Sequence, residues 1–129
     1  MTDAEKQTYI DKMYRERGYV LDFHKVMCAE DFEFLKAYNT LIQAGYTNPR
    51  TLEAKTKELI YTVILTAVNA NLDHIAKHVK LALEYGYTKR EILEALEICL
   101  PAAGVPAFMN GLEAWKKVVN PERIEPSQL

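Results

Sequence analysis

"NLDHIAKHVKLALEYG", residues 71–86, sets His74 and His78 four positions apart in a stretch whose apolar residues recur at helical spacing. Advancing about 100° per residue puts Leu72, Ile75, Ala76, Val79, Ala82 and Leu83 on one broad arc, the expected core face. Asp73, Lys77, Lys80 and Glu84 fall on a second arc, suited to solvent. His74, His78, Leu81 and Tyr85 make a third, narrow stripe. Imidazole, aliphatic chain and phenol together fit a pocket wall or a subunit interface better than open water. Asn71 is a good N-cap for this helix, and Gly86 is its natural stop.

The neighbouring segments read the same way. Upstream, a helix from about Leu52 to Asn69, with Thr51 as candidate N-cap, is apolar over most of its circumference and belongs at the centre of the fold. Further upstream, "DFEFLKAYNTLIQAG" repeats apolar residues at helical spacing and closes on Gly45, and "YVLDFHKVMCAED" reads as a short helix. "TDAE" at Thr2 is a capping box with Glu5, opening a helix that ends at Gly18. Downstream, Thr88 and Glu91 form another capping box, for a helix that stops before Pro101. Pro106 suits the first turn of a last helix. No strand pattern or repeat is present. The expectation is an all-α fold of about six to seven helices.

A chain of 129 residues is most simply one domain, and 49% hydrophobic with 26% charged residues is ordinary for a globular protein. A net charge of −2 gives no electrostatic reason to expect nucleic acid or an anionic membrane as partner. The longest apolar run, Leu59 to Val68, is about half a membrane span and is interrupted by Thr62 and Thr66. The charged opening "MTDAEKQTYIDKMYRERG" has no signal-peptide core. Cys28 and Cys99 form no CxxC, so a reducing cytoplasm is the expected location. The tail "NPERIEPSQL" is polar with two prolines, either disordered or an arm laid on a partner.

Within the central helix, Glu58, Thr62, Leu65, Thr66 and Asn69 lie near one line, a polar seam on an element built for burial. A buried carboxylate needs a partner, so Glu58 has a functional reading beside the plainer one of pairing with Lys55. The histidines have three readings. They can be structural, hydrogen-bonded to neighbours. They can be two metal ligands, although HxxxH here lacks the glutamate of HExxH and Asp73 points about 100° away; His24, Glu58 or another subunit would have to complete the set. Or they can be acid–base groups with pKa values near neutrality.

The stretch "RTLEAKTKELIYTVILTAVNANLDHIAKHVKLALEYGYTKREILEALEICLPAAGVPAFMNGLEAW", Arg50 to Trp115, resembles the carboxymuconolactone decarboxylase family, which also holds the alkylhydroperoxidase D proteins. "KTKELI", "HIAKH" followed by "ALEYGYTKREILEAL", and "AAGVPA" carry the likeness through their order and spacing. It implies an alkylhydroperoxidase D-like helical bundle in residues 50–118. Residues 1–49 would be packing or oligomerisation helices and 119–129 a tail. The peroxidase branch has a glutamate at the place of Glu58 and then CxxCxxxH. Carried over, the last histidine is His78, and the two thiols fall on Asn71 and His74, so both are missing. The decarboxylase branch, which lacks CxxC, is similar. The chain departs from it by one residue in the spacing of the histidines and by one extra residue between Glu58 and His78.

That branch implies loss of carbon dioxide from a small carboxylated lactone or related organic acid, with no cofactor. His78 would steady the developing oxyanion or donate a proton, His74 would be its companion, and Glu58 would orient or protonate one of them. Arg50, Tyr85 and His24 are candidate substrate-binding groups, with a solvated loop arginine as the plainer reading of Arg50. The family also implies trimers or hexamers. The competing readings are a ligand- or metal-binding oligomer without catalysis, an interaction scaffold, and a thiol peroxidase by family label only.

Overall fold

Thr2 begins the first helix as the capping box predicts: its Oγ1 accepts the Glu5 N–H at 3.1 Å, and Glu5 Oε2 accepts the Thr2 N–H at 2.8 Å. The computed structural model describes residues 1–127, and the regular structure among them is entirely helical. The chain divides into two compact units, Met1–Ala54 and Lys55–Leu129.

In the first unit, α1 (Asp3–Arg17) ends on Gly18 in the left-handed region at φ 81°. Helix α2 (Asp22–Glu30) and helix α3 (Phe32–Ile42) follow. Met13, Cys28, Phe32 and Leu35 form the core, with Met13, Phe32 and Leu35 each contributing about 1.5–3 kcal/mol by leaving water. Helix α3 does not close on Gly45. It widens into a π-helical turn, Gln43–Thr47, sealed by Asn48 N–H donating to the Gln43 carbonyl at 2.9 Å. Gly45 has ordinary helical backbone there, so it is not a cap.

The second unit holds α4 (Ala54–Ala67), α5 (Leu72–Glu84), α6 (Lys89–Ala103) and α7 (Val105–Val119). Helix α4 starts later than its sequence suggested. Thr51 sits in an exposed bend three residues ahead of it and is not its cap. Asn71 does cap α5, accepting the Asp73 N–H at 2.9 Å, and Thr88 with Glu91 caps α6 as a box. Helix α6 passes through Pro101 rather than stopping before it. In the last turn a proline forfeits only one hydrogen bond, to the carbonyl of the exposed Glu97, which water can serve. Gly104, at φ 92° and ψ 169°, then ends α6 and starts α7 in a single residue.

Ile75, Val79, Ala82, Ile92, Leu96 and Ala114 make the centre of this unit, with Leu65 and Trp115 at its edge. Two of the three arcs read on α5 hold: the core arc is buried or half-buried, and Asp73, Lys77, Lys80 and Glu84 are exposed, whereas the third stripe runs from the buried His78 to the exposed Tyr85. Trp115 Nε1–H donates to the Lys89 carbonyl at 2.9 Å, and Asn110 Nδ2–H to the Ala70 carbonyl at 2.8 Å, tying α7 to the start of α6 and to the turn before α5.

Helix α4 inverts the expected burial. Glu58, Thr62, Leu65 and Thr66 are the buried residues, while Ile60, Ile64 and Val68 are 44%, 52% and 67% exposed. The polar seam can be buried because its members have work to do. Glu58 meets a histidine, Thr62 Oγ1 donates to the Glu58 carbonyl at 2.9 Å, and Thr66 packs on Gly111 of α7. A Cβ on Gly111 would stand 2.4 Å from Thr66 Cγ2, so this close approach requires glycine. After α7, residues 120–127 carry no helix, and Gln128 and Leu129 at the tail's end lie outside the described residues. No helix among the described residues is long and apolar enough to cross a membrane.

Candidate active site on helices α4 and α5

Glu58 stands in the second turn of α4 and His78 in the second turn of α5. The two meet: His78 Nδ1 is hydrogen-bonded to Glu58 Oε1. Glu58 is 2% exposed and His78 is fully buried. This removes the plainer reading of Glu58. Lys55 is not its partner, because the Lys55 ammonium lies over the Tyr87 ring, 4.5 Å from its centroid.

A carboxylate on Nδ1 fixes the plane and tautomer of an imidazole and supports positive charge on it. Tyr61, one turn after Glu58, does the same by packing: its ring stacks on His78 at 4.5 Å between centroids with 26° between planes. His74, one turn before His78 on α5, completes a cluster of rings, 5.2 Å from His78 and 6.3 Å from Tyr61. The sequence reading missed Tyr61. Its position at Glu58 plus three, on the same face of the same helix, was the available signal.

His74 is half-buried, and its pKa is lowered to about 4. Desolvation is the larger cause and the neighbouring His78 ring the smaller. The expectation of a pKa near neutrality therefore fails for His74. At physiological pH it is a neutral ring that can donate from one nitrogen and accept at the other.

The remaining candidates are placed as follows. Tyr85, one residue past the end of α5, is 47% exposed. His24 and Arg50 belong to the first unit. His24 is 1% exposed and accepts the Leu21 N–H on Nδ1 at 3.0 Å. Arg50 is exposed, and its Nη1–H donates to the Ala44 carbonyl at 3.3 Å.

The described residues contain no group of three or more His, Cys, Asp or Glu side chains able to hold a metal ion. Two imidazoles alone fall short of the usual zinc set. Thiol chemistry lacks its groups too. The sequence holds no CxxC, and burial raises the pKa of both Cys28 and Cys99, away from the reactive thiolate.

The sequence pattern of the Carboxymuconolactone decarboxylase family matches residues 33–117, well over half of the chain. A crystal structure from Burkholderia xenovorans LB400, of a provisionally named carboxymuconolactone decarboxylase, shares the fold with a TM-score of 0.78. The two chains are 19% identical, and the match covers 92% of each. No curated protein matches the chain. The helices, their order and the matched span together place this chain in the carboxymuconolactone decarboxylase family.

Proposed function

We propose that the protein is a cofactor-independent decarboxylase, a carbon–carbon lyase acting on a small carboxylated lactone or a related organic acid. The buried Glu58–His78 pair, flanked by a neutral His74, is the observation that carries this reading. The family and the absence of CxxC support it.

In the reaction, the bond to the substrate carboxylate breaks and carbon dioxide leaves. The electron pair moves through the ring alkene onto the lactone carbonyl oxygen, and the resulting dienolate takes a proton on carbon. Two things are needed: a donor aimed at the oxygen where charge develops, and a proton source in a site poor in water. With Nδ1 turned to Glu58, His78 exchanges its proton through Nε2, and the Glu58 carboxylate balances the imidazolium. His74, neutral above about pH 4, donates an N–H to the oxyanion without competing for that proton. Tyr61 holds the His78 ring to its plane. Tyr85, exposed just past the end of α5, is the candidate in this unit for contact with the rest of the substrate. The reading includes assembly into a trimer or hexamer in the cytoplasm, with the exposed Ile60, Ile64 and Val68 face of α4 laid against a second copy.

The test is His78→Ala, with His78→Gln as the closer replacement, assayed for carbon dioxide release over a panel of small carboxylated lactones and keto acids. The expected result is a loss of about 10²–10⁴ in kcat with helix content unchanged by circular dichroism. Full turnover in either variant would remove His78 from the chemistry and end this reading.

A further inference from the structure

Buried in the first unit is a cation without an anion. Arg17, at the end of α1, is 8% exposed, and no carboxylate among the described residues pairs with it. Its Nη1 lies 3.3 Å from His24 Nε2. That contact does little for the charge: with His24 Nδ1 accepting the Leu21 N–H, the ring's proton sits on Nε2, which faces the guanidinium as a second donor. The one acceptor left to Arg17 is Asn39 Oδ1, which takes a hydrogen bond from Nη2.

Asn39 is itself 5% exposed, and it passes the polarisation on. Its Nδ2–H donates to Tyr9 Oη at 2.9 Å. Every link therefore points the same way, from guanidinium to amide to phenol, and such chains strengthen each donor in turn. The last donor, the Tyr9 O–H, has no acceptor among the described residues. Tyr9 and Asn39 line a cavity of about 220 Å³ between α1 and α3, together with Lys12, Lys36, Thr40 and Gln43. One carboxylate, Glu16, lies there as well. It is already engaged by Lys12 at 3.8 Å and by Gln43 Nε2–H at 3.4 Å. Lys36 is shared with Glu33 at 3.2 Å.

We infer that this cavity is a binding site for a small oxyanion, a carboxylate or a phosphoryl group. The half-buried Tyr9 O–H would be its neutral donor, Lys12 and Lys36 its charged rim, and Arg17, acting through Asn39, the source of positive potential. An oxyanion supplies what the unit lacks, an acceptor at the end of the relay and a negative charge to offset the buried guanidinium. The cavity admits a group of a few heavy atoms, not a cofactor. The site is built wholly from the first unit and stands independently of the Glu58–His78 pair.

The full-length protein should be titrated with inorganic phosphate and, separately, with acetate, at an ionic strength held constant by sodium chloride, while amide and side-chain NMR shifts are followed. Saturable shifts centred on Tyr9 and Asn39 are expected with at least one probe; phosphate alone would assign a phosphoryl ligand and acetate alone a carboxylate. Tyr9→Phe keeps the ring, which packs edge-on against Phe32 at 5.0 Å, and should weaken binding about ten- to a hundredfold. Lys12→Gln with Lys36→Gln, both at the rim, should weaken it without unfolding the chain. Two results would overturn the proposal: no response to either probe beyond the chloride control, or equal binding by wild type and Tyr9→Phe.

Discussion

His74 shows how one ring can be tuned by its place on a helix. Half-buried, and one turn from His78, it is held neutral down to about pH 4. Unfolded, the same ring returns to an ordinary histidine pKa of about 6.5. The unfolded chain thus binds the proton more readily than the folded one, so this residue's share of stability is complete above about pH 6.5. It is lost as pH falls through 6.5 toward 4. The ring is partly wetted, which roughly halves the full effect and leaves about 1–2 kcal/mol. Urea unfolding at pH 7, 5.5 and 4.5 should show this slope in the wild type and a flatter one in His74→Asn; identical slopes would mean that His74 does not carry it. The histidine pair itself was visible in the letters because helical spacing of four stacks residues on one face. The partner choice of Glu58 was not. Lys55 and His78 are both reachable from it, and only the packing of α4 on α5 decides between them.

Among the elements, α4 breaks the rule that apolar faces point inward, and part of the reason is the close approach of Thr66 to Gly111 of α7. Gly111 lets the α7 backbone approach Thr66 so closely that a methyl group does not fit. Gly111→Ala should cost about 1–3 kcal/mol, since neither the backbone nor the β-branched Thr66 can yield cheaply. The Thr66 hydroxyl, fully buried, has no hydrogen-bond partner among the described residues. Thr66→Val, which swaps that hydroxyl for a methyl of similar shape, should therefore stabilise the fold by about 1 kcal/mol. Chemical denaturation of the two variants tests both signs, and a destabilised Thr66→Val would mean that the hydroxyl has a partner after all. Local signals announced the helix starts at Thr2, Asn71 and Thr88 because a cap is a contact between residues two or three apart. The π-helical turn after α3 and the passage of α6 through Pro101 escaped notice. The second depends on the exposure of the Glu97 carbonyl's turn, and a one-dimensional pattern does not record that.

At the scale of the whole molecule, the outward face of α4 bears on assembly. Ile60, Ile64 and Val68 span about two helical turns, roughly 12 Å, with no charged residue among them. A stable interface needs about 1,000 Å² or more, so a second copy would have to cover further exposed apolar residues of this unit as well, such as Ile98, Val105 and Met109. The net charge of −2, from 16 basic and 18 acidic residues, opposes such an approach only weakly. Replacing both Ile60 and Ile64 by Glu separates assembly from folding. These side chains already face water in the single chain, so the change should alter its stability by no more than about 0.5 kcal/mol at each site. At an interface the same carboxylates would be desolvated beside apolar partners, at several kcal/mol. Sedimentation velocity should therefore show the wild type as a trimer or hexamer and the double variant as a monomer with unchanged circular dichroism. A wild-type monomer, or a double variant that assembles as the wild type does, would exclude this face of α4 as the contact between copies.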